Sequence, residues 1–149
     1  MNRTEIFALV QKKLENELYE IEVSLEALMN DLSNETKSSA GDKYETAREM
    51  IQQERQQLET AKQNKRQQLT QIIRLSENKP AEKSEAGSIV TTTNGTFLLG
   101  VAIGKIELTA NSFLFALGLQ SPLSQLLLGK TTGESFQLNS VSYTITSLC

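Results

Sequence analysis

The chain has 149 residues, 38% of them hydrophobic and 22% charged, with a formal net charge of −3. That composition is ordinary for a folded protein with room for one or two small domains, and it argues against disorder and against a general nucleic-acid binder. Histidine and tryptophan are absent and the single cysteine is Cys149. Ser–His and Cys–His nucleophilic chemistry, the commonest zinc ligand and an internal disulfide are thereby removed. Aromatics make up only 5%, which speaks against an aromatic-rich ligand pocket. The N-terminus has no unbroken apolar run and no stretch approaches the ~20 apolar residues of a membrane helix. The expectation is a cytoplasmic protein, in keeping with the lone cysteine.

The first segment carries two rows at a seven-residue period. Phe7, Leu14, Ile21 and Leu28 form one, and Leu18, Leu25 and Leu32 the other. Alternating steps of three and four place one narrow apolar seam on a helix. The other faces are densely charged, which favours a coiled-coil arm over the core helix of a globular bundle. After Leu32 the run from Ser33 to Gly41 is polar and small and reads as a tip loop, with Ser39 and Asp42 spaced as a capping box. A second helix is expected from about Ser39 to Leu75, with a seam of Tyr44, Ala47, Ile51, Leu58, Ala61, Leu69 and Ile72 interrupted by Glu54 and Lys65. Residues 1–35 hold three basic and eight acidic side chains, and residues 42–74 hold seven basic and five acidic. That asymmetry suits antiparallel pairing within one chain. Two arms of about 35 residues at 1.5 Å per residue make a rod of roughly 50 Å.

Residues 78–86 are a linker by composition. From Ser88 the character turns to β. Ile89 to Thr93 is β-branched, Asn94-Gly95 reads as a hairpin turn, and Thr96 to Ile103 is the return strand. Lys105 to Leu108 and Ser112 to Leu117 continue the sheet. Ser121-Pro122-Leu123 opens a short helix, with serine as cap and proline in the first turn, and Gly129 closes it. A final hairpin turns at Asn139-Ser140. The fold class is therefore α+β: a helical hairpin over 1–77 with its tip near 33–42, a linker over 78–86, and a small antiparallel domain of about five strands and one short helix over 87–149. Phe97, Phe113, Phe115, Phe136 and Tyr143 are expected in its core.

This arrangement resembles the Gre family of bacterial transcript cleavage factors. The likeness runs in order through Tyr44 with Ala47-Arg48-Glu49, Gly87-Ser88-Ile89-Val90, Ser121-Pro122-Leu123, Leu127-Leu128-Gly129-Lys130 and Gly133-Glu134. It implies an FKBP-like C-terminal domain that docks at the secondary channel of RNA polymerase core. Ser121, Pro122, Leu123, Gly129 and Lys130 are then the implied polymerase-binding residues. It also implies a coiled coil reaching inward, with tip carboxylates sharing a Mg²⁺ with the polymerase and contacting the nascent RNA only indirectly. A second metal of that kind activates the attacking water and stabilises the leaving oxygen. No cofactor of the chain's own and no small-molecule substrate are expected.

The sequence departs from the family at the tip. The family's acidic pair falls on Lys37 and Ala40, neither of which binds Mg²⁺. Asp42 and Glu45 keep the spacing a few residues later and are the candidate catalytic positions, with Asp42 the candidate metal ligand. Their structural alternative is a helix cap and a carboxylate that complements the helix N-terminus. Lys130 has such an alternative too, since a cation is favoured after a helix end. The expectation is a non-enzymatic elongation regulator that occupies the channel. The rival readings are an FKBP-like prolyl isomerase and a structural coiled-coil interaction module.

Overall fold

A computed structural model describes residues 1–35 and 41–149, with side chains described for 1–34 and 45–149. Helix α1 spans Arg3–Glu35 and α2 spans Gly41–Ser76. Strands β1 (Ile89–Thr92), β2 (Gly95–Leu99), β3 (Gly104–Thr109) and β4 (Ser112–Leu117) precede the short helix α3 (Pro122–Leu127). Strands β5 (Ser135–Leu138) and β6 (Val141–Leu148) follow it. The chain is α+β, a helical hairpin followed by a six-stranded sheet with one short helix. Two compact units arise, one of Lys13–Gln67 and the other of Met1–Lys12 with Gln68–Cys149. Among the described residues, no helix is long and apolar enough to cross a membrane.

In the unit of Lys13–Gln67 the seam lies where the heptads put it. Leu14, Leu25 and Leu28 are buried, and Leu18, Ile21 and Leu32 are half-buried. On α2, Ala47, Ile51, Leu58 and Ala61 are only half-buried, as its weaker apolar pattern requires. Ion pairs bridge the arms beside this seam. Lys65 meets Glu17 at 2.6 Å, Lys13 reaches Glu17 from the same helix at 2.5 Å, and Arg66 approaches Glu22 at 3.7 Å. Burial alone would raise the Glu17 pKa. Hydrogen bonds and charge from Lys13 and Lys65 outweigh it, so the carboxyl sits below its ordinary value. Ser33, Asn34 and Glu35, expected in the tip loop, continue α1. Polar residues of middling helix propensity extend a long helix at little cost. The expected capping box at Ser39 lies outside the described residues.

In the other unit, Asn2 and Glu5 form a reciprocal cap. Glu5 N–H donates to Asn2 Oδ1 at 2.9 Å, and Asn2 N–H to Glu5 Oε2 at 2.8 Å. Arg3 then reaches across the unit. Its guanidinium donates to the carbonyls of Leu75 at 2.9 Å, Asn78 at 3.1 Å and Gly87, and lies 4.5 Å from the Phe7 ring centroid. One planar cation thus ties the last turn of α2, at Leu75, to the segment that follows it, at Asn78 and Gly87. Burial lowers its pKa from the usual arginine range.

The sheet order is β3-β4-β2-β1-β6-β5. It is mixed and six-stranded, where about five antiparallel strands were expected. Strand β4 inserts between β3 and β2, and so runs parallel to β2, with Phe97 opposite Phe115 and Leu99 opposite Leu117. The return strand stops at Leu99 and does not reach Ile103. Gly100 leaves the strand at φ 116° with Leu75 packed over it, and a Cβ there would meet Leu75 Cδ1 at 3.0 Å. The first hairpin also differs from expectation. Thr92 pairs with Gly95, so Thr93 and Asn94 form the turn and only Gly95 takes positive φ, 134°. Thr92 Oγ1 fixes this turn by accepting from Asn94 N–H and donating to the Gly95 carbonyl. The last hairpin matches expectation, with Asn139 at φ 49° and Ser140 at φ 66°, the signs a type I′ turn demands.

Alternation divides the buried strand residues between two faces. Leu98, Ile106, Leu114 and Ala116 are buried on one. On the other, Val90, Phe97, Leu99 and Ile145 form a cluster with Leu127 of α3. Of the five aromatics expected in this core, only Phe97 is buried. Phe136 and Tyr143 are half-buried, while Phe113 and Phe115 are 45% and 36% exposed. Phe115 pairs with Phe97 and Phe113 lies two residues before it, so both project to the cluster side, but on the part of β4 that lies beyond the buried cluster.

Candidate functional site

Six residues are too few for a helix to persist alone, so α3 depends on its ends and its anchor. At the N-terminus, Ser121 Oγ accepts from Ser124 N–H at 3.1 Å, and Pro122 occupies the first turn without wasting a donor. Leu127 is fully buried in the sheet cluster, which contributes roughly 1.5–3 kcal/mol. Leu123 and Leu128 pack against the same cluster. At the C-terminus, Leu128 N–H returns to the Ser124 carbonyl at 2.9 Å and Gly129 turns the chain at φ 80°.

This turn is strapped by a segment that composition marks as linker. Ser84 is 3% exposed and bonds the helix end in both directions. Its N–H donates to the Lys130 carbonyl at 2.8 Å, and its carbonyl accepts from Gly129 N–H at 2.8 Å. Its hydroxyl donates to the Leu127 carbonyl and accepts from Lys130 N–H at 3.2 Å. Thr131 Oγ1 adds a bond to the Glu82 carbonyl at 2.9 Å. No periodicity or motif marks Ser84 in advance, because most of these bonds use backbone atoms.

The five implied docking residues are therefore brought together on one small element, with different exposure. Pro122 and Gly129 are exposed, and Ser121, Leu123 and Lys130 are half-buried. Lys130 Nζ stands 6.0 Å from the Phe136 centroid. The surface is a turn braced by Ser84, with one half-buried cation beside it.

The second candidate place is the hairpin tip. Glu45 is exposed on α2 and Asp31 is exposed on α1. Asp42 falls in the first turn of α2, but its side chain lies outside the described residues, as do Lys37 and Ala40. Among the described residues no group of three acidic or thiol side chains stands together to hold a metal ion.

No protein-family model matches the chain. No curated protein matches it either. Among solved structures it is similar to that of the transcription factor Gfh1, at 15% identity over 93% of this chain and 92% of the other, with a TM-score of 0.37.

Proposed function

We propose that the chain is a transcription elongation regulator that binds bacterial RNA polymerase at its secondary channel, with an FKBP-like domain at the rim and a coiled coil directed towards the active site. The observation that supports this most is the conduct of the Gre-like motif on α3. Ser121 caps the helix, Leu127 anchors it, Gly129 turns it and Lys130 follows, so each motif residue has a structural task on one presented element. The order of elements, hairpin first and α+β domain second, is the order the resemblance implies.

In this reading the chain is no enzyme of its own. Lys37 and Ala40 stand where the family carries its acidic pair, and a lysine repels Mg²⁺ by simple Coulomb interaction. The tip therefore occupies the channel without supplying a strong metal ligand.

The test is a pull-down of core RNA polymerase by the full chain, followed by a Mg²⁺-dependent cleavage assay on stalled complexes. Retention of polymerase, reduced by Lys130→Glu, is the expected result, with little or no stimulation of cleavage. Failure to retain polymerase overturns the reading. Strong cleavage that is lost in Asp42→Ala with binding intact overturns the non-cleaving part and makes Asp42 a catalytic ligand.

A further inference from the structure

The chain has five phenylalanines and three tyrosines, and five of these eight rings form one row across a single face of the sheet. Centroids are 5.6 Å apart from Phe113 to Phe115, 6.4 Å from Phe115 to Phe97, 6.2 Å from Phe97 to Tyr143 and 5.1 Å from Tyr143 to Phe136. Strand register produces the row. Phe115 pairs with Phe97 and Phe136 with Tyr143, and paired residues project to the same side. Gly95 leaves room for it, since a Cβ there would stand 3.2 Å from the Phe97 ring.

The core requires only the middle of this row. Phe97 is buried, whereas Phe113 and Phe115 stand open to solvent in adjacent same-face positions of β4. Two partly exposed phenylalanines side by side lower solubility. The cations point the same way. Residues 87–149 contain only two, Lys105 and Lys130, and they stand at opposite ends of the row. Lys105 Nζ is 4.3 Å from the Phe113 centroid, and Lys130 borders Phe136. Of the two carboxylates in the same span, Glu134 is engaged by Thr131 N–H at 2.6 Å. The other, Glu107, is exposed and lies opposite Phe113 in the register.

We infer that this face is a platform for single-stranded nucleic acid, with bases stacked on Phe113 and Phe115 and backbone phosphates held at Lys105 and Lys130. An exposed ring accepts any base, because every base has a π-face, and flanking ammonium groups supply the anion contacts. A phosphate backbone presents anions at regular intervals that two separated lysines can engage. A peptide does so only with acidic residues at matching places. Helix α3 packs on part of this face, so the open stretch lies at Phe113 and Phe115 and takes one base on each ring. The overall −3 charge excludes a strong general binder, and residues 87–149 balance two lysines against two glutamates, so stacking and not net charge carries the contact. With so few cations the binding is modest and falls with salt. The inference stands apart from the polymerase reading and holds whether or not the chain docks there.

The test is fluorescence anisotropy of the full chain with labelled single-stranded RNA and DNA of about ten nucleotides, against the matching duplex. Single strands are expected to bind better than duplex. Phe113→Ala with Phe115→Ala is expected to weaken binding by on the order of tenfold or more. Lys105→Gln should weaken it and flatten the log–log salt dependence by about 0.7, and Glu107→Gln should tighten it. All four positions are exposed, and an unchanged melting curve confirms that each variant folds. No binding, equal binding of duplex, or binding indifferent to both ring substitutions overturns the inference. So does a result in which the ring variants lose polymerase in the pull-down while no oligonucleotide binds the wild type, since the face is then a protein-docking surface.

Discussion

Replacing Arg3 with alanine tests whether the discontinuous unit is closed by one side chain. The substitution removes three charge-assisted bonds, to Leu75, Asn78 and Gly87, and the ring contact with Phe7. Hydrogen bonds from a charged donor are worth about 1.5–3 kcal/mol each. A simple sum overstates the effect, because one guanidinium is desolvated and ordered only once. Arg3 is also half-exposed, so water re-solvates part of what is freed. A net loss of about 3 kcal/mol is expected. For a unit of this size each kcal/mol moves the midpoint by about 4–8 °C, so the melting temperature should fall by more than about 10 °C. Arg3→Lys keeps the charge but not the planar fork and should recover less than half. Circular dichroism melting measures both. A midpoint for Arg3→Ala within about 2 °C of the wild type would show that the carbonyls are satisfied by solvent and that the residue closes nothing.

Leu25→Asp places a charge at a seam position only 8% exposed and should cost about 3–5 kcal/mol; an unchanged melting curve would remove Leu25 from a packed seam. Glu17→Gln is expected to cost about 1 kcal/mol at neutral pH, since the side chain is partly exposed. Because the folded-state pKa is lowered, that contribution is complete above the ordinary Glu value near about 4.3 and disappears as pH falls through the folded value. Urea unfolding of the two proteins should therefore converge in acid, and a gap that persists at all pH values would sink the assignment. Gly95→Ala must hold φ at 134° and crowd Phe97, at a cost of about 1–3 kcal/mol; full stability in a denaturant titration would show that the turn rearranges freely.

What could be read from the sequence was whatever repeats or is punctuated by local stereochemistry. The heptad rows of α1 report burial directly, and Leu14, Leu25 and Leu28 are buried as those rows require. Asn139-Ser140 was legible because both residues tolerate positive φ and both adopt it. Asn94-Gly95 carried a similar signal, yet Thr92 Oγ1 binds the Asn94 N–H and moves the turn one residue earlier. Alternation in β4 is visible, but how far the cluster around Leu127 reaches over β4 is not, and Phe113 and Phe115, expected in the core, are exposed. The parallel pairing of β2 and β4 depends on where β3 settles, which no local pattern encodes. On the candidate site, the Ser121 cap and the Gly129 turn were legible from composition and spacing. The Ser84 strap and the reach of Arg3 were not, because their acceptors are carbonyls and every residue has one.

The Arg3 contact also sets an order of events during synthesis. Arg3 leaves the ribosome well before its carbonyl partners, which lie 72, 75 and 84 residues further on. At about 5–20 residues per second the last of them follows roughly 4–17 seconds later. Until then the start of α1 has its own capping box but no tertiary partner for its cation, with Ile6, Phe7 and Val10 not yet covered. The Lys13–Gln67 hairpin, whose contacts are complete by residue 67, is free to form first. The nascent segment therefore closes from the hairpin outward, and Arg3 meets its partners only after both helices are made. A chaperone that holds short apolar segments would find its natural target in residues 6–10, during that interval and not afterwards.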